Sequence, residues 1–495
     1  MIYRSTRDNA VSVTSAQAIA RGIAPGGGLY LPSDLPHLSA ERLSALAKMD
    51  YQGRALDILA DFLDDFERQD LEKSIAGAYG SSFANEEVTP VKKLHSSAYM
   101  LELWHGPTCA FKDLALQLLP YLITQAAKKE AGGKTVNILV ATSGDTGKAA
   151  LEGFKDIPGT NILVFYPRDG VSRVQELQMT TQRGGNVGVC AVQGNFDDTQ
   201  AALKRIFTNP EIKARLDTKN AIFSSANSIN WGRLAPQIVY YVSAYCELVN
   251  SGELAVGEKL NIVVPTGNFG NILAAYYAKK MGLPIGKLIC ASNRNNVLTD
   301  FISTGVYDKR REFFATSSPS MDILVSSNLE RLLHILMGDS TAVNGLMSAL
   351  EREGVYTLPA QVLSTLKSEF YGGFCDEAET AATIKSSFQG HGYLCDPHTA
   401  VALKVYRDYT QAMGDTTKTL IASTASPFKF AGNVLSALTG QQGGEDEFAQ
   451  LRELSAITGI LPPAQITELA SLPVRFEQTC AKDEMERVVL ESLGL

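Results

Sequence analysis

The sequence has little that would support a metal centre, a disulfide framework or a membrane span. Its seven cysteines among 495 residues form no Cys-x-x-Cys pair and no cluster with histidine, so we expect no metal site. An odd number of scattered thiols in a long chain is typical of a reducing compartment, and we expect a cytoplasmic protein. No apolar run reaches membrane-spanning length, and residues 1–7 lack the apolar stretch of a signal peptide.

Excess positive charge and nucleotide-binding motifs are also missing. The 45 lysines and arginines are outnumbered by 53 acidic residues, which argues against nucleic acid or an anionic membrane as the main partner. The dinucleotide pattern Gly-x-Gly-x-x-Gly does not occur. Ser143–Lys148 fails as a P-loop because only two residues separate its glycines and Ala149 replaces the required hydroxyl. A nucleotide-dependent enzyme is therefore the least favoured class.

The chain divides into three regions by its pattern of predicted helices and strands. Residues 1–90 predict a mainly helical accessory domain, with helices over Ser39–Lys48 and Ile58–Ala76. Residues 91–440 predict a catalytic region of two α/β lobes, the smaller over about 113–225, with a helical segment over about 295–390. Polar, glycine-rich Gln441–Glu447 predicts a linker, and helices that pack on the catalytic region follow to residue 495.

Strands alternate with helices throughout the central region. The clearest strand patterns are Thr135–Thr142, Asn161–Tyr166, Asn186–Val192 and Leu260–Pro265. Such alternation predicts an α/β fold with parallel sheets wrapped by helices. Ligands bind such sheets beyond the carboxyl ends of the strands, so the loops that follow the strands are the candidate sites.

Lys112 is the most informative candidate for chemistry. It precedes a helix in which apolar residues from Leu114 to Ala126 recur at helical spacing. A lysine at a helix N-terminus feels the positive end of the helix dipole, which disfavours its protonated form. An amine with a lowered pKa suits Schiff-base chemistry with a carbonyl cofactor. Taken alone, the position more often indicates a solvated lysine, since lysine is seldom buried.

Four polar loops supply the remaining candidates. Gly267–Asn271 follows an apolar strand and precedes a helix, so its N–H groups and the helix N-terminus suit a phosphate. The fork of Arg233, close to Ser228 and Asn230, also suits a phosphate. Ser143 and Thr146 suit a small carboxylate, and Thr424 offers a hydroxyl after a buried strand. By themselves, the first two loops are equally compatible with a turn or a capped helix start. The signal at Ser143 and Thr146 is weaker, with a plain helix cap as the alternative, and a polar strand end is the default interpretation at Thr424.

Together these features resemble the fold-type-II pyridoxal-phosphate enzymes, which have a tryptophan synthase β-like fold. The closer resemblance is to the long form of the threonine synthase family, and it spans nearly the whole chain. It rests on these segments, in order: Tyr3–Arg7, Gly27–Tyr30, Leu103–Asp113, Ser143–Gly147, Asn227–Arg233, Gly267–Asn271, Ser320–Ile323, Ser327–Arg331 and Ser423–Phe430. The chain departs from the family at Ser426, where histidine is usual, and at Pro25-Gly26, where an acidic residue is usual.

The resemblance implies conversion of O-phospho-L-homoserine and water to L-threonine and phosphate, with pyridoxal 5'-phosphate as cofactor. Lys112 matches the lysine that bonds to the cofactor, and Thr424 matches the hydroxyl that faces its pyridine nitrogen. The cofactor-phosphate loop of the family is matched by Gly267, Asn268, Phe269, Gly270 and Asn271. By hypothesis, Ser143 and Thr146 bind the substrate carboxylate, and the substrate phosphate is bound by Ser228, Asn230 and Arg233.

Two other functions remain open at this point. A dehydratase or β-replacing synthase acting on serine or threonine would use the same cofactor without a second phosphate pocket. A catalytically silent, synthase-like protein would bind phosphorylated ligands without turnover. The sequence leaves the role of Asp145 open and allows either a monomer or a homodimer.

Overall fold

The computed structural model describes residues 1–130, 132–142, 144–168, 170–194, 196–441, 444 and 446–494, without the side chains of Phe196 and Asp197. Three of the seven residues of the predicted linker Gln441–Glu447 lie outside the described residues, and its last residue begins a helix. The N-terminal region contains a small antiparallel sheet and four helices. Its elements are β1 (Tyr3–Ser5), β2 (Ser12–Val13), α1 (Ser15–Arg21), β3 (Tyr30–Pro32), α2 (Ala40–Ala47), α3 (Tyr51–Phe62) and α4 (Arg68–Ala78).

The single helix predicted over Ile58–Ala76 is wrong, because the structure has two helices there. Helix α3 ends at Phe62 and α4 begins at Arg68. Leu63 and Phe66, which lie in the connection, are both buried. Their burial continues the apolar periodicity across the break, so the sequence pattern conceals it.

Residues 91–250 carry the next strands and helices. In chain order they are β4 (Val91–His95), β5 (Ala98–Glu102), α5 (Asp113–Leu116), α6 (Leu119–Glu130), β6 (Thr135–Ala141), α7 (Asp145–Phe154), β7 (Thr160–Pro167), α8 (Arg173–Thr180), β8 (Val187–Gln193), α9 (Phe196–Thr208), α10 (Pro210–Thr218), β9 (Ala221–Ser224) and α11 (Trp231–Asn250). The helix predicted after Lys112 is thus two helices, and Pro120 stands in the first turn of the second, where its missing N–H costs no helical bond.

The remaining elements complete two large sheets and the C-terminal region. They are β10 (Leu260–Pro265), α12 (Gly270–Met281), β11 (Ile285–Ser292), α13 (Val297–Thr304), β12 (Val306–Asp308), α14 (Leu329–Met337), α15 (Ser340–Arg352), β13 (Val355–Thr357), α16 (Ala360–Glu369), β14 (Phe370–Phe374), α17 (Glu377–His391), α18 (Pro397–Met413), β15 (Thr419–Ser423), α19 (Ala431–Thr439), α20 (Glu447–Thr458), α21 (Ala464–Thr467), β16 (Thr479–Ala481) and α22 (Met485–Leu493).

Two mostly parallel sheets form the framework of the molecule. One has the strand order β14-β11-β10-β15-β5-β4, in which only the β4–β5 pair is antiparallel. The other has the order β16-β8-β7-β6-β9 and is parallel throughout. Its edge strand β16 comes from the C-terminal region, for which the sequence predicted helices alone. The predicted α/β class with parallel sheets and helices is confirmed.

Helix α11 is the central packing element. Most of its side chains are buried, and Trp231 at its start contacts the rings of Tyr3 and Phe62 with centroids 5.4 and 5.6 Å apart. The N-terminal region is therefore packed directly on the helix that carries Arg233. Every helix among the described residues is too short or too polar to cross a membrane.

Candidate active site

Three loops that follow adjacent strands bring the predicted cofactor residues together. Lys112 follows β5, Thr424 follows β15 and Gly267–Asn271 follows β10, and these three strands are neighbours and parallel. The Phe111 N–H donates to the Thr424 carbonyl at 2.8 Å, which ties the lysine loop to the Thr424 loop. The segments that the resemblance assigns to the cofactor thus meet at the carboxyl edge of one sheet, where α/β proteins bind ligands.

The second sheet contributes the predicted substrate loops. Thr146 lies in the first turn of α7, directly after β6, and Asn227–Arg233 follows the neighbouring strand β9. Ser143 lies outside the described residues. Ion-pair contacts between Asp145 and both Lys112 and Lys429 link this edge to the edge that carries the cofactor residues.

The Lys112 amine is almost enclosed by protein. Its side chain is 13% exposed, and its Nζ donates a hydrogen bond to Ser320 Oγ at 3.1 Å. The pKa of Lys112 is lowered to about 8, mainly by burial; Asp145 acts against this shift, and the charges of Lys429 and Arg233 contribute to it. Because α5 has only four residues, burial rather than the helix dipole is the main cause of the low pKa.

Lys429 explains why a carboxylate is tolerated beside the cofactor residues. Its Nζ lies 2.7 Å from Asp145 Oδ1 and donates to the Thr108 carbonyl at 2.9 Å. Burial alone would raise the pKa of Asp145, but the charges of Lys429 and Lys112 hold it well below its usual range. Asp145 is therefore a carboxylate neutralised by its own lysine. Lys429 lies within Ser423–Phe430, where no local pattern indicates its partner, so the sequence alone predicts no role for it.

The Gly267–Asn271 loop has the backbone of a tight cradle. Phe269 adopts a left-handed conformation with φ of 63°, and Gly270 then begins α12. A Cβ on Gly267 would lie 2.4 Å from the Ser320 carbonyl oxygen, so only glycine fits between the loop and its neighbour. The Asn268 carbonyl accepts from the Asn328 backbone N–H and side-chain amide, both at 3.0 Å. These contacts fix the loop from the side of α14.

Asn271 shows that this cradle fits an anionic ligand. Its Oδ1 accepts from the hydroxyls of Tyr240 and Tyr241, which orients the amide group. Its Nδ2 is buried and has no hydrogen-bond partner. Since a buried donor without a partner is costly, an acceptor such as a cofactor phosphate at the start of α12 suits this position. The residues present therefore fit pyridoxal phosphate.

Arg233 offers a second anion-binding group. It lies in the first turn of α11 and is 3% exposed. One terminal nitrogen donates to the Ala226 carbonyl at 2.5 Å, whereas its Nε is buried without a partner. Burial lowers the pKa of Arg233 to about 10, so the guanidinium stays charged at neutral pH.

The two residues predicted to act with Arg233, Asn230 and Ser228, differ in whether their side chains are available to a ligand. Asn230 is fully buried, and its side chain caps α11 by accepting from the Gly232 N–H. Its amide donates to the Ile19 and Ser225 carbonyls at 3.0 and 3.1 Å. This side chain therefore holds the loop, because its donors and acceptor are already used. Ser228 is half-buried, and its carbonyl accepts from the Asn328 amide at 3.3 Å.

Family models cover almost all of the chain. Residues 2–79 match the model described as threonine synthase N terminus. Residues 84–424 match the model described as pyridoxal-phosphate dependent enzyme. Residues 399–488 match the model described as threonine synthase, C-terminal.

Curated relatives agree with these models. The chain is 41% identical to human threonine synthase-like 1 over 94% of its own length, but it spans only 64% of that protein. It is 38% identical to threonine synthase of Pseudomonas aeruginosa, covering 89% of this chain and 91% of that one. Threonine synthase of Saccharomyces cerevisiae is 36% identical, with 89% of both chains covered.

Solved structures show the same fold. Threonine synthase from Brucella melitensis, determined with pyridoxal phosphate bound, is 38% identical with a TM-score of 0.89 and covers 99% of both chains. Threonine synthase from yeast is 32% identical, also with a TM-score of 0.89, over 100% of this chain and 99% of that one. These matches confirm the resemblance found in the sequence and the fold type that it implies. The chain belongs to the threonine synthase family of pyridoxal-phosphate dependent enzymes.

Proposed function

We propose that this enzyme converts O-phospho-L-homoserine and water to L-threonine and phosphate. The observation that carries the proposal is the pairing of two separate anion-binding groups with one buried lysine. Asn271 presents an unpartnered amide at the cofactor loop, and Arg233 presents an unpartnered Nε on another helix. A pyridoxal-phosphate enzyme with a phosphorylated substrate needs both groups, whereas a dehydratase needs only the first. The family membership supports the same reaction.

The residues proposed for the cofactor come from the resemblance to the family, and the meeting of the three loops supports them. Lys112 would bond to it through Nζ, and the Thr424 hydroxyl would face its pyridine nitrogen. The cofactor phosphate would be bound by backbone N–H groups of the loop and by the Asn271 Nδ2. The residues of this loop are Gly267, Asn268, Phe269, Gly270 and Asn271. When bound, pyridoxal phosphate supplies the electron sink that makes substrate carbon–hydrogen bonds acidic.

Lys112 is the proposed proton carrier once the substrate amine has displaced it. A pKa of about 8 leaves an appreciable neutral fraction near neutral pH, so Nζ would accept the proton from substrate Cα. After it has given up that proton, Nζ would take part in removing a proton from Cβ, while the Cγ–O bond breaks and phosphate leaves. A proton added at Cγ, the hydroxyl of a water added at Cβ and a proton returned to Cα then give threonine, and the remaining proton of the water goes to the departing phosphate.

Arg233 is proposed to bind the substrate phosphate, which departs as a dianion. Ser228 would contribute its hydroxyl beside Arg233, and Asn230 would position the loop through its cap. We propose that Thr146, with Ser143, binds the substrate carboxylate at the start of α7, where the helix dipole favours an anion. The Asp145–Lys429 ion pair would then join the two sides of the site without adding net charge.

The deciding experiment measures phosphate and threonine together from O-phospho-L-homoserine. We expect equal amounts of both products from the wild type and none from Lys112→Ala. Lys128→Ala is the matched control, because Lys128 is exposed in the last turn of α6. Cofactor-loaded wild type that releases no phosphate would refute the proposal. Ammonia from serine or threonine would then favour the dehydratase, and no turnover would favour the silent phospho-ligand-binding protein.

The cellular setting is proposed on separate grounds. All seven cysteines are free and buried, which suits a reducing compartment such as the cytoplasm. Detection of the protein in a fractionated cell extract would test this.

A further inference from the structure

Ser320 is the hydrogen-bond partner of the Lys112 amine. Its Oγ lies 3.1 Å from Nζ, on the short turn Pro319–Met321. Asp145 is farther away, at 3.9 Å, and already pairs with Lys429. In the part of the chain that the structure describes, Ser320 therefore provides the one hydrogen bond that Nζ makes.

A buried pair of side chains, Asp396 and His398, contacts the backbone of Ser320. The Ser320 backbone N–H donates to His398 Nε2 at 3.2 Å. Because Nε2 accepts, the ring hydrogen is assigned to Nδ1, which lies 2.6 Å from Asp396 Oδ2. Asp396 is fully buried and also caps α18. The histidine ring is thus held at the start of a long helix and cannot turn away from Ser320 without losing its hydrogen bond to Asp396.

The cofactor loop holds the same turn from the other side. The Ser320 carbonyl oxygen is so close to Gly267 that a Cβ there would lie 2.4 Å away. The turn is therefore confined between His398 and the Gly267 loop. Confinement of this kind fixes the position of the Ser320 backbone, and hence of its Cβ, relative to the cofactor loop.

We propose that Ser320 is a positioning residue for Lys112, and that Asp396 and His398 fix Ser320 in place. The Ser320 hydroxyl oxygen accepts one N–H of the neutral amine, which leaves the nitrogen lone pair in a defined direction. When Nζ attacks the aldehyde carbon of the cofactor, a carbon–nitrogen bond forms and the aldehyde oxygen leaves as water. The inference rests on the proposed function only in taking Lys112 as the lysine that bonds to the cofactor.

A positioning role differs measurably from control of the lysine pKa. The charged groups that face Nζ are Asp145, Lys429, Arg233 and Asp113, and these act on its pKa together with burial. Ser320 carries no charge. Its removal should therefore slow the covalent step at every pH and leave the pH midpoint of that step unchanged.

The test follows covalent capture of pyridoxal phosphate by the cofactor-free enzyme across a range of pH. We expect Ser320→Ala to slow capture about fivefold, which corresponds to the loss of one neutral hydrogen bond. Its affinity for pyridoxine 5'-phosphate, which has no aldehyde, should equal that of the wild type. Ser318→Ala is the matched control, because Ser318 Oγ accepts from Asn293 Nδ2 at 2.9 Å, near the same turn, and does not touch Lys112.

A second pair of variants tests the support beneath Ser320. His398→Gln keeps a side-chain acceptor and should capture cofactor at nearly the wild-type rate, whereas His398→Leu should be slow with an unchanged pH midpoint. If Ser320→Ala does not bind pyridoxine 5'-phosphate, Ser320→Cys, a weaker acceptor of similar size, replaces it with the same expectation.

Capture by Ser320→Ala at the wild-type rate would overturn the inference, and so would a shifted midpoint. These outcomes are independent of whether the enzyme makes threonine, since capture requires no substrate. A wild type that captures cofactor normally but releases no phosphate would refute the proposed function alone.

Discussion

Replacing Lys429 with methionine is expected to lower the free energy of unfolding by about 3–5 kcal/mol at neutral pH, because it leaves a buried carboxylate without its cation. Lys429 is fully buried and Asp145 is 4% exposed, and their charged atoms lie 2.7 Å apart. Asp145 would retain the amide of Gln175 at 3.2 Å and Lys112 at 3.9 Å as its neighbours. Neither contact replaces a charged hydrogen bond inside the protein.

The effect should depend on pH in a defined direction. The pKa of Asp145 in the folded protein lies below its ordinary value of 3.8. The stability that the ion pair contributes is therefore fully present above about pH 4 and is lost as the pH falls towards the folded pKa. In Lys429→Met, burial is left to raise the pKa of Asp145, so the difference between variant and wild type should shrink in acid.

The assay is urea unfolding of the cofactor-free protein at pH 7 and at progressively lower pH. Lys134→Met is the matched control, since its partner Asp217 is largely exposed and such a pair contributes about 0–1 kcal/mol. The double variant Asp145→Asn/Lys429→Met should regain part of the lost stability. A Lys429→Met protein within about 1 kcal/mol of the wild type at pH 7 would refute the argument, as the penalty for an unpaired buried charge would be absent.

Three further changes test the anion-binding groups. Gly267→Ala should weaken cofactor binding at least tenfold in an equilibrium titration, because its Cβ would displace the turn at Ser320; unchanged affinity would contradict the close approach. Asn271→Asp should weaken binding of pyridoxine 5'-phosphate about a hundredfold, since a buried carboxylate would replace the unpartnered donor; a milder loss than in Asn271→Ala would contradict this. Arg233→Met should keep the cofactor's absorbance and lower kcat/KM for O-phospho-L-homoserine at least a hundredfold in a phosphate-release assay; normal turnover would place the substrate phosphate elsewhere.

The strands and their loops could be predicted because their signals are local. The strand at Leu260–Pro265 has the predicted bounds, and the glycine loop follows it as expected. That Lys112 and Thr424 meet depends instead on the pairing of β5 with β15, which are more than three hundred positions apart in sequence. Only the resemblance to a known family connected them in advance.

The residues that hold the site residues in place could not be predicted, because their partners are far away in the sequence. Lys429 lies in the segment Ser423–Phe430, but its partner Asp145 begins α7, which follows a strand of the other sheet. Neither Ser320 nor His398 has a local sequence signal, because their contact forms only where the turn at Ser320 packs against the start of α18. Asn230 could not be assigned from its residue type alone, because its side chain caps α11 and donates to two backbone carbonyls, contacts that no local pattern indicates.

Arg331 has a consequence for the order in which the protein folds. It is fully buried and donates to the Tyr30 carbonyl at 2.8 Å, across 301 positions of chain, and also to the carbonyl of Ile229. Contacts between such distant residues form slowly, because a long loop must close before they contribute. On the ribosome, the N-terminal region is complete long before Arg331 emerges. The loop that precedes Arg233 should therefore acquire its final shape late, when α14 docks. Until then, an incomplete chain exposes the apolar faces of its helices and has no formed site.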